Sequence, residues 1–203
     1  EAKIVEGEDL VDLTETDKIW TVTPKQDNEK LLELATTKIL TPADFAKLNE
    51  LRLQQAEEAA EALRGEGIRR IVASPYTRAL QTAAPISRAL GLPVLVNPVV
   101  RERYAFACDI GTPRGDLARA WPGHDFSTIE EIWWPAVEEP AEGIAARAAL
   151  FRAEMCALPD WSDTLVVSHW GFILSFTGTS VTNGQWLRAD PTAPAPAEIA
   201  WRP

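Results

Sequence analysis

The apolar residues of this 203-residue chain fall into short β-branched runs separated by longer stretches with helical spacing, and that alternation restricts the fold more than any other feature. The runs are KIWTVT at 18–23, RRIVA at 69–73, LPVLVNPVV at 92–100 and TLVVS at 164–168. Each reads as a strand, the third interrupted by Pro98. Residues 43–65 place Phe45, Leu48, Leu51, Ala56, Ala59, Ala60 and Leu63 three and four apart, which predicts an amphipathic helix ending near Gly65 and Gly67. SPYTRALQTAAPISRALG predicts a second helix with Gly91 as its C-cap, and Pro85 is expected to kink it or end a first segment. Residues 140–157 read as a third long helix, and HWGFILSFTG opens another. Residues 181–188 and 196–201 are expected to be two closing strands around the turn DPTAPAPA. Residues 24–42 read as a loop, with or without one short helix. Strands that alternate with helices imply an α/β sandwich with a mostly parallel sheet. The expected organisation is an acidic segment, 1–17, either disordered or an added element, followed by a single domain over 18–203. That domain carries an irregular, aromatic-rich insertion at about 101–135.

Charge and residue counts exclude several classes of function. The net charge is −10, and nothing supplies a broad basic face, so nucleic acid and anionic membranes are not expected partners. No apolar run approaches the roughly 18 to 20 residues needed to cross a bilayer. The acidic opening has no basic n-region or apolar h-region, so no secretory signal is expected. The two cysteines, Cys108 and Cys156, fit a reduced, cytoplasmic protein better than a disulfide scaffold. Two histidines, His124 and His169, cannot make a histidine-rich metal site, nor two cysteines a four-cysteine zinc site. There is no Walker loop and no Gly-x-Gly-x-x-Gly, so no cofactor is expected.

In parallel sheets, sites collect at the C-terminal ends of strands. Three such ends stand out: Thr23-Pro24-Lys25, Ala73-Ser74-Pro75 and Ser168-His169-Trp170. His169 lies where a strand end meets a helix N-terminus, whose N–H groups and dipole favour an anion; the alternative is a histidine that only caps or packs. Ser74 or Thr77 can cap the second helix. Arg78 sits in its first turn, where the macrodipole disfavours a cation. A bound anion would explain it, and so would simple exposure to solvent. Glu102, between Arg101 and Arg103, is either part of a weak surface ion pair or an acid at a pocket rim.

The order and spacing of LNELRLQQAEEAAEALRGEGI, IVASPYTRALQTA, the Glu102 segment, TLVVSHWGFI and TGTSVTNGQWLR resemble the histidine phosphatase superfamily, with its phosphoglycerate mutase-like fold. The resemblance runs from about Leu48 to Asp190 and implies a three-layer α/β/α sandwich. The family transfers phosphoryl groups through a phosphohistidine. A second histidine and two arginines hold the phosphoryl oxygens, and a carboxylic acid protonates the leaving group. By resemblance, Arg78 matches the helix arginine, Glu102 the acid and His169 the second histidine. The family's Arg-His-Gly motif at the end of the first strand is replaced by Thr23-Pro24-Lys25, and its Leu-Thr-x-x-Gly segment by Leu48-Asn49-Glu50-Leu51-Arg52. Proline has neither nucleophile nor N–H, and loss of a nucleophile costs on the order of 10⁴-fold in rate. Lys25 returns one charge, as a flexible point rather than a fork. His124 is expected on the surface or in a lid.

These residues support three readings. In the first, His169 and Glu102 are catalytic acid/base groups, and Arg78, Lys25 and Ser74 bind a small anionic or partly apolar metabolite for isomerase, lyase or cyclase chemistry. The insertion's aromatics, Tyr104 to Trp134, would line that site, or else form a local core. In the second, the protein is a pseudoenzyme that binds a ligand or partner. In the third, it is a phosphatase or mutase by an atypical route. The oligomeric state is not legible from the sequence.

Overall fold

The computed structural model describes residues 4–5, 19–22, 42–106, 109–182, 184–199 and 201. Among the described residues, six strands form one sheet: β1 (Ile4–Val5), β2 (Ile19–Val22), β3 (Arg70–Ala73), β4 (Val94–Val96), β5 (Thr164–Val167) and β6 (Trp186–Ala189). Their spatial order is β1-β6-β2-β5-β3-β4. The three pairings from β2 to β4 are parallel, and β6 runs antiparallel to both β1 and β2. Among the described residues, five α-helices accompany them: α1 (Pro42–Ala62), α2 (Thr77–Leu90), α3 (Arg114–Ala120), α4 (Ala141–Cys156) and α5 (Trp170–Thr177).

Side chains alternate across each strand, and here both faces are covered. Ile71, Ala73, Leu165 and Val167 face a core shared with Ala60 and Leu63 and with Ala79, Leu80, Ala83 and Ile86 of α2. Val72, Val166 and Leu187 face the other way, against Ile144, Phe151 and Met155 of α4 and Phe172, Ile173 and Phe176 of α5. Every residue of β5 is buried, as expected for a central parallel strand packed on two sides. The layers are therefore α/β/α.

Several expectations need correction. Pro85 neither ends α2 nor splits it: the helix runs through Thr77–Leu90, and Pro85 is buried in it. Proline costs a helix about 3 kcal/mol, and burial of the apolar helix face offsets that. Gly91 does cap the helix, at φ +68°. Residues 101–135 are not wholly irregular, because α3 lies within them with Leu117 buried as its anchor. Among the described residues, one closing strand forms, Trp186–Ala189. No strand occurs among the described residues of 196–201, where prolines withhold N–H donors. The turn before that segment is held instead by Arg152, whose guanidinium donates to the carbonyls of Asp190, Pro191, Ala193 and Phe176. Within the acidic N-terminal segment, Ile4–Val5 pairs with β6 at the sheet edge. Cys156 is free and exposed; Cys108 lies outside the described residues. Among the described residues, no helix is long and apolar enough to cross a membrane.

Candidate functional site

Three parallel strands stop at one level: Val22 pairs with Val167, and Val167 with Ala73. The last residues of β2, β5 and β3 are thus neighbours. Thr23, Pro24 and Lys25 follow β2 in sequence but lie outside the described residues. Ser74, Arg78, Glu102 and His169 are all described.

Ser74 is fully buried. Its N–H donates to the Val167 carbonyl, and its hydroxyl accepts the Tyr76 N–H at 3.4 Å. It shapes the turn that leads into α2. Neither Ser74 nor Thr77 caps that helix: Tyr76 is the N-cap residue, and no side chain caps it.

Arg78, in the first turn of α2, reaches across to the end of β5. Its Nε–H donates to Nδ1 of His169 at 3.2 Å. Its Nη2 donates to Asp109 Oδ1, also at 3.2 Å, and its guanidinium lies 4.3 Å from the centroid of the Tyr76 ring. Arginine only donates, so Nδ1 of His169 is an acceptor and the neutral ring carries its proton on Nε2. That Nε2 is buried with no hydrogen-bond partner among the described residues. Burial foremost, then the charges of Arg78 and Arg147, holds the His169 pKa well below the usual histidine value. His169 is therefore a neutral, buried N–H donor, positioned as the N-cap residue of α5 without a side-chain cap of its own.

Glu102 meets the same helix end. Its Oε1 accepts the N–H of Gly171 at 3.0 Å and that of Arg103 at 2.8 Å. Gly171 is needed for this approach, because a Cβ there would stand 2.5 Å from Glu102 Oε1. Burial raises the Glu102 pKa to about 7, outweighing the two backbone N–H groups and the Arg78 charge that pull it down. The surface ion-pair alternative for Glu102 does not hold. Arg101 pairs with Glu139 at 2.9 Å and Arg103 with Glu138 at 3.2 Å. Arg147 of α4 also grips Glu139, through Nε at 2.8 Å and Nη2 at 2.6 Å, and donates to the carbonyls of Val99 and Arg101. This arginine–glutamate–arginine cluster fixes the backbone that presents Glu102.

Two groups at the site escaped the sequence reading. Asp109 is 4% exposed and braces Arg78. The Tyr76 hydroxyl donates to the Asp109 carbonyl, and the Tyr76 ring packs edge-on against His169 at 5.1 Å and Trp133 at 4.7 Å. Tyr76 sits beside motif residues and was within reach of sequence reasoning; Asp109 carries no local signal.

The insertion's aromatics divide. Phe126 and Trp133 are buried in the core, with Trp121 and Trp134 packed against it, so for these the local-core reading holds. Phe106 is 71% exposed. His124 is not simply a surface residue. It is half-buried between Trp121 and Phe126, its ring 5.5 Å and 6.2 Å from theirs, and burial lowers its pKa. A cavity of about 570 Å³ lies elsewhere, along β4, lined by residues that include Arg70, Asn97 and Glu154 and none of Arg78, Glu102 and His169. Among the described residues, no group of three or more His, Cys, Asp or Glu side chains is arranged to hold a metal ion.

Residues 34–193 match the sequence model of the histidine phosphatase superfamily, branch 1. The chain belongs to that superfamily. The match begins beyond β2 and beyond Thr23-Pro24-Lys25. Among solved structures, the chain is similar to mycobacterial hydrolase 1, at 23% identity and TM-score 0.56 over 84% of this chain and 89% of that one. It is similar to a mycobacterial glucosyl-3-phosphoglycerate phosphatase, at 22% identity and TM-score 0.55 over 84% and 88%. It is also similar to the alpha-ribazole phosphatase of Shigella flexneri, at 20% identity and TM-score 0.52 over 83% and 88%. At these identities the likeness shows the fold. A search of curated protein sequences finds no match.

Proposed function

We propose that the Arg78–His169–Glu102 site binds a small anionic metabolite and moves protons on it, without forming a phosphohistidine. The contact between Arg78 and His169, 3.2 Å apart beside the N-terminus of α5, carries this reading. It brings a fixed cation and a buried N–H donor to one place, which is what an anion needs. Glu102, with its pKa raised to about 7, can exchange a proton near neutral pH. Pro24 supplies no nucleophile in the family's register, which argues against a phosphoenzyme. The names of two structurally similar proteins, phosphatases of glucosyl-3-phosphoglycerate and of alpha-ribazole, support a small charged metabolite as ligand.

A binding module without turnover is the second reading, favoured by the pairing of Arg78 with Asp109. Two assays decide. With p-nitrophenyl phosphate, no turnover at ordinary phosphatase rates is expected; turnover abolished by His169→Ala would overturn the absence of phosphatase chemistry. In thermal shift with phosphate, sulfate and small organic acids, stabilisation lost in Arg78→Ala is expected. No stabilisation by any of them would overturn the anion site.

A further inference from the structure

The apolar side chains left in water are not spread evenly over the molecule. Among the described residues, seven large hydrophobic side chains are exposed, and four of them, Phe106, Ile110, Ile132 and Val137, lie between the end of β4 and the start of α4. Single exposed apolar residues are ordinary, but such a concentration marks a contact surface. Two stretches of this segment run side by side. The Glu139 N–H donates to the Tyr104 carbonyl at 2.8 Å, and the Trp133 indole N–H donates to the Thr112 carbonyl at 2.8 Å. Gly111 lies so close to Trp133 and Trp134 that a Cβ there would strike both indoles. The same segment reaches the candidate site. The Phe106 N–H donates to Asp109 Oδ2 at 3.0 Å, and the Phe106 carbonyl accepts the Asp109 N–H at 2.9 Å. Asp109 Oδ1 accepts Arg78 Nη2 at 3.2 Å. One carboxylate therefore separates the Phe106 backbone from the Arg78 guanidinium. Phe106 is held through both its backbone polar groups, yet its side chain joins neither side of the core, and neither does that of Ile110.

We propose that Phe106 and Ile110 form an apolar rim to the Arg78–His169 site, and that its ligand is an anionic head, such as a phosphate ester, joined to an aryl or short alkyl group that lies on this rim. The proposal rests on reading the Arg78 site as an anion site and adds the class of ligand. The head is held by Arg78 and by Nε2–H of His169, which has no partner among the described residues. The organic part then leaves the site across Phe106, the exposed apolar side chain whose backbone shares the Asp109 carboxylate with Arg78. The rim carries no charge, so it selects among anions by their organic part and leaves phosphate monoesters acceptable. Each methylene taken out of water is worth about fourfold in affinity, and a ring laid on the rim by one face is worth about tenfold or more.

Methylphosphonate and phenylphosphonate test this, because they share an anionic head and differ in the apolar group. Their affinities are measured by titration calorimetry at one pH and ionic strength, for wild type, Phe106→Ala, Ile110→Ser, Leu150→Ala and Arg78→Ala. Wild type should bind phenylphosphonate about tenfold or more tighter than methylphosphonate. Phe106→Ala should reduce that advantage to about threefold or less and leave methylphosphonate within about twofold of wild type. Ile110→Ser should reduce it by a smaller factor. Leu150, equally apolar and exposed but on α4, is the control, and Leu150→Ala should leave the advantage unchanged. All three of these side chains are exposed, so their replacement leaves the fold intact. Equal affinity of wild type for the two phosphonates, or an advantage that survives in Phe106→Ala, would overturn the rim while leaving the anion site standing. A dimer in sedimentation that Phe106→Ala dissociates, with the phenyl advantage unchanged, would assign the patch to a second copy of the chain and overturn the ligand role. Absence of binding by either phosphonate to wild type, with Arg78→Ala indistinguishable from it, would overturn the anion site itself.

Discussion

Replacing Glu102 with glutamine converts the raised pKa into a measurable stability difference. In the folded protein burial lifts the carboxyl from about 4.5 to about 7. A raised folded-state pKa means that the native protein holds its proton more tightly than the unfolded chain. The resulting stabilisation is complete below the unfolded value and disappears as pH rises through about 7. At full ionisation the difference is about 3 kcal/mol, at roughly 1.4 kcal/mol per pKa unit. Roughly half of it should vanish between pH 6 and 9, a range clear of the isoelectric point near 4.8. Glutamine keeps an oxygen for the Gly171 and Arg103 N–H groups and has no proton to lose. Urea denaturation of both proteins at pH 6, 7, 8 and 9 should therefore show the wild type losing about 1 to 2 kcal/mol relative to Glu102→Gln. His169 works in the opposite sense, its depressed pKa withdrawing stability as pH falls below about 6.5. Both proteins share that effect, so it cancels in the difference. A difference that stays flat across the range, or that grows in favour of the wild type as pH rises, would refute a buried, proton-holding carboxyl.

Two further substitutions probe the scaffold around that carboxyl. Glu139→Ala leaves Arg101 and Arg147 without their shared counter-charge and should cost about 3–5 kcal/mol in urea unfolding; a cost under about 1 kcal/mol would show that the cluster does not hold the Glu102 backbone. Gly171→Ala gains about 1 kcal/mol of helix propensity but drives a methyl group to 2.5 Å from Glu102 Oε1; the melting temperature should fall, and the pH signature of Glu102 should weaken.

The central layer was legible because its code is local. A run such as Thr164-Leu165-Val166-Val167 has no polar side to show to water, so it must sit between two covered faces, and it does. His169 and Arg78 were legible because a strand end and a helix start place them without reference to the rest of the chain. Asp109 and Glu139 were not. An acid in an irregular segment looks like any solvated acid until the fold brings it to an arginine 31 or 8 residues away. The α3 helix escaped because Pro113 and Gly115 read as breakers and Leu117 is its one buried anchor. The choice between ring-lined pocket and local core for the insertion needed packing, which put Trp133 and Phe126 inside.

The strand order has a consequence for how the chain is made. β2 lies between β5 and β6, and Trp20 is paired with Leu165, about 145 residues further on. At roughly 5–20 residues per second of synthesis, the second strand waits about 7–30 s on the ribosome before either neighbour exists. The helices and strands between residues 42 and 106 can settle meanwhile. The nascent protein must carry an unpaired, tryptophan-bearing ribbon through most of its translation, and the sheet closes only as the last segments emerge.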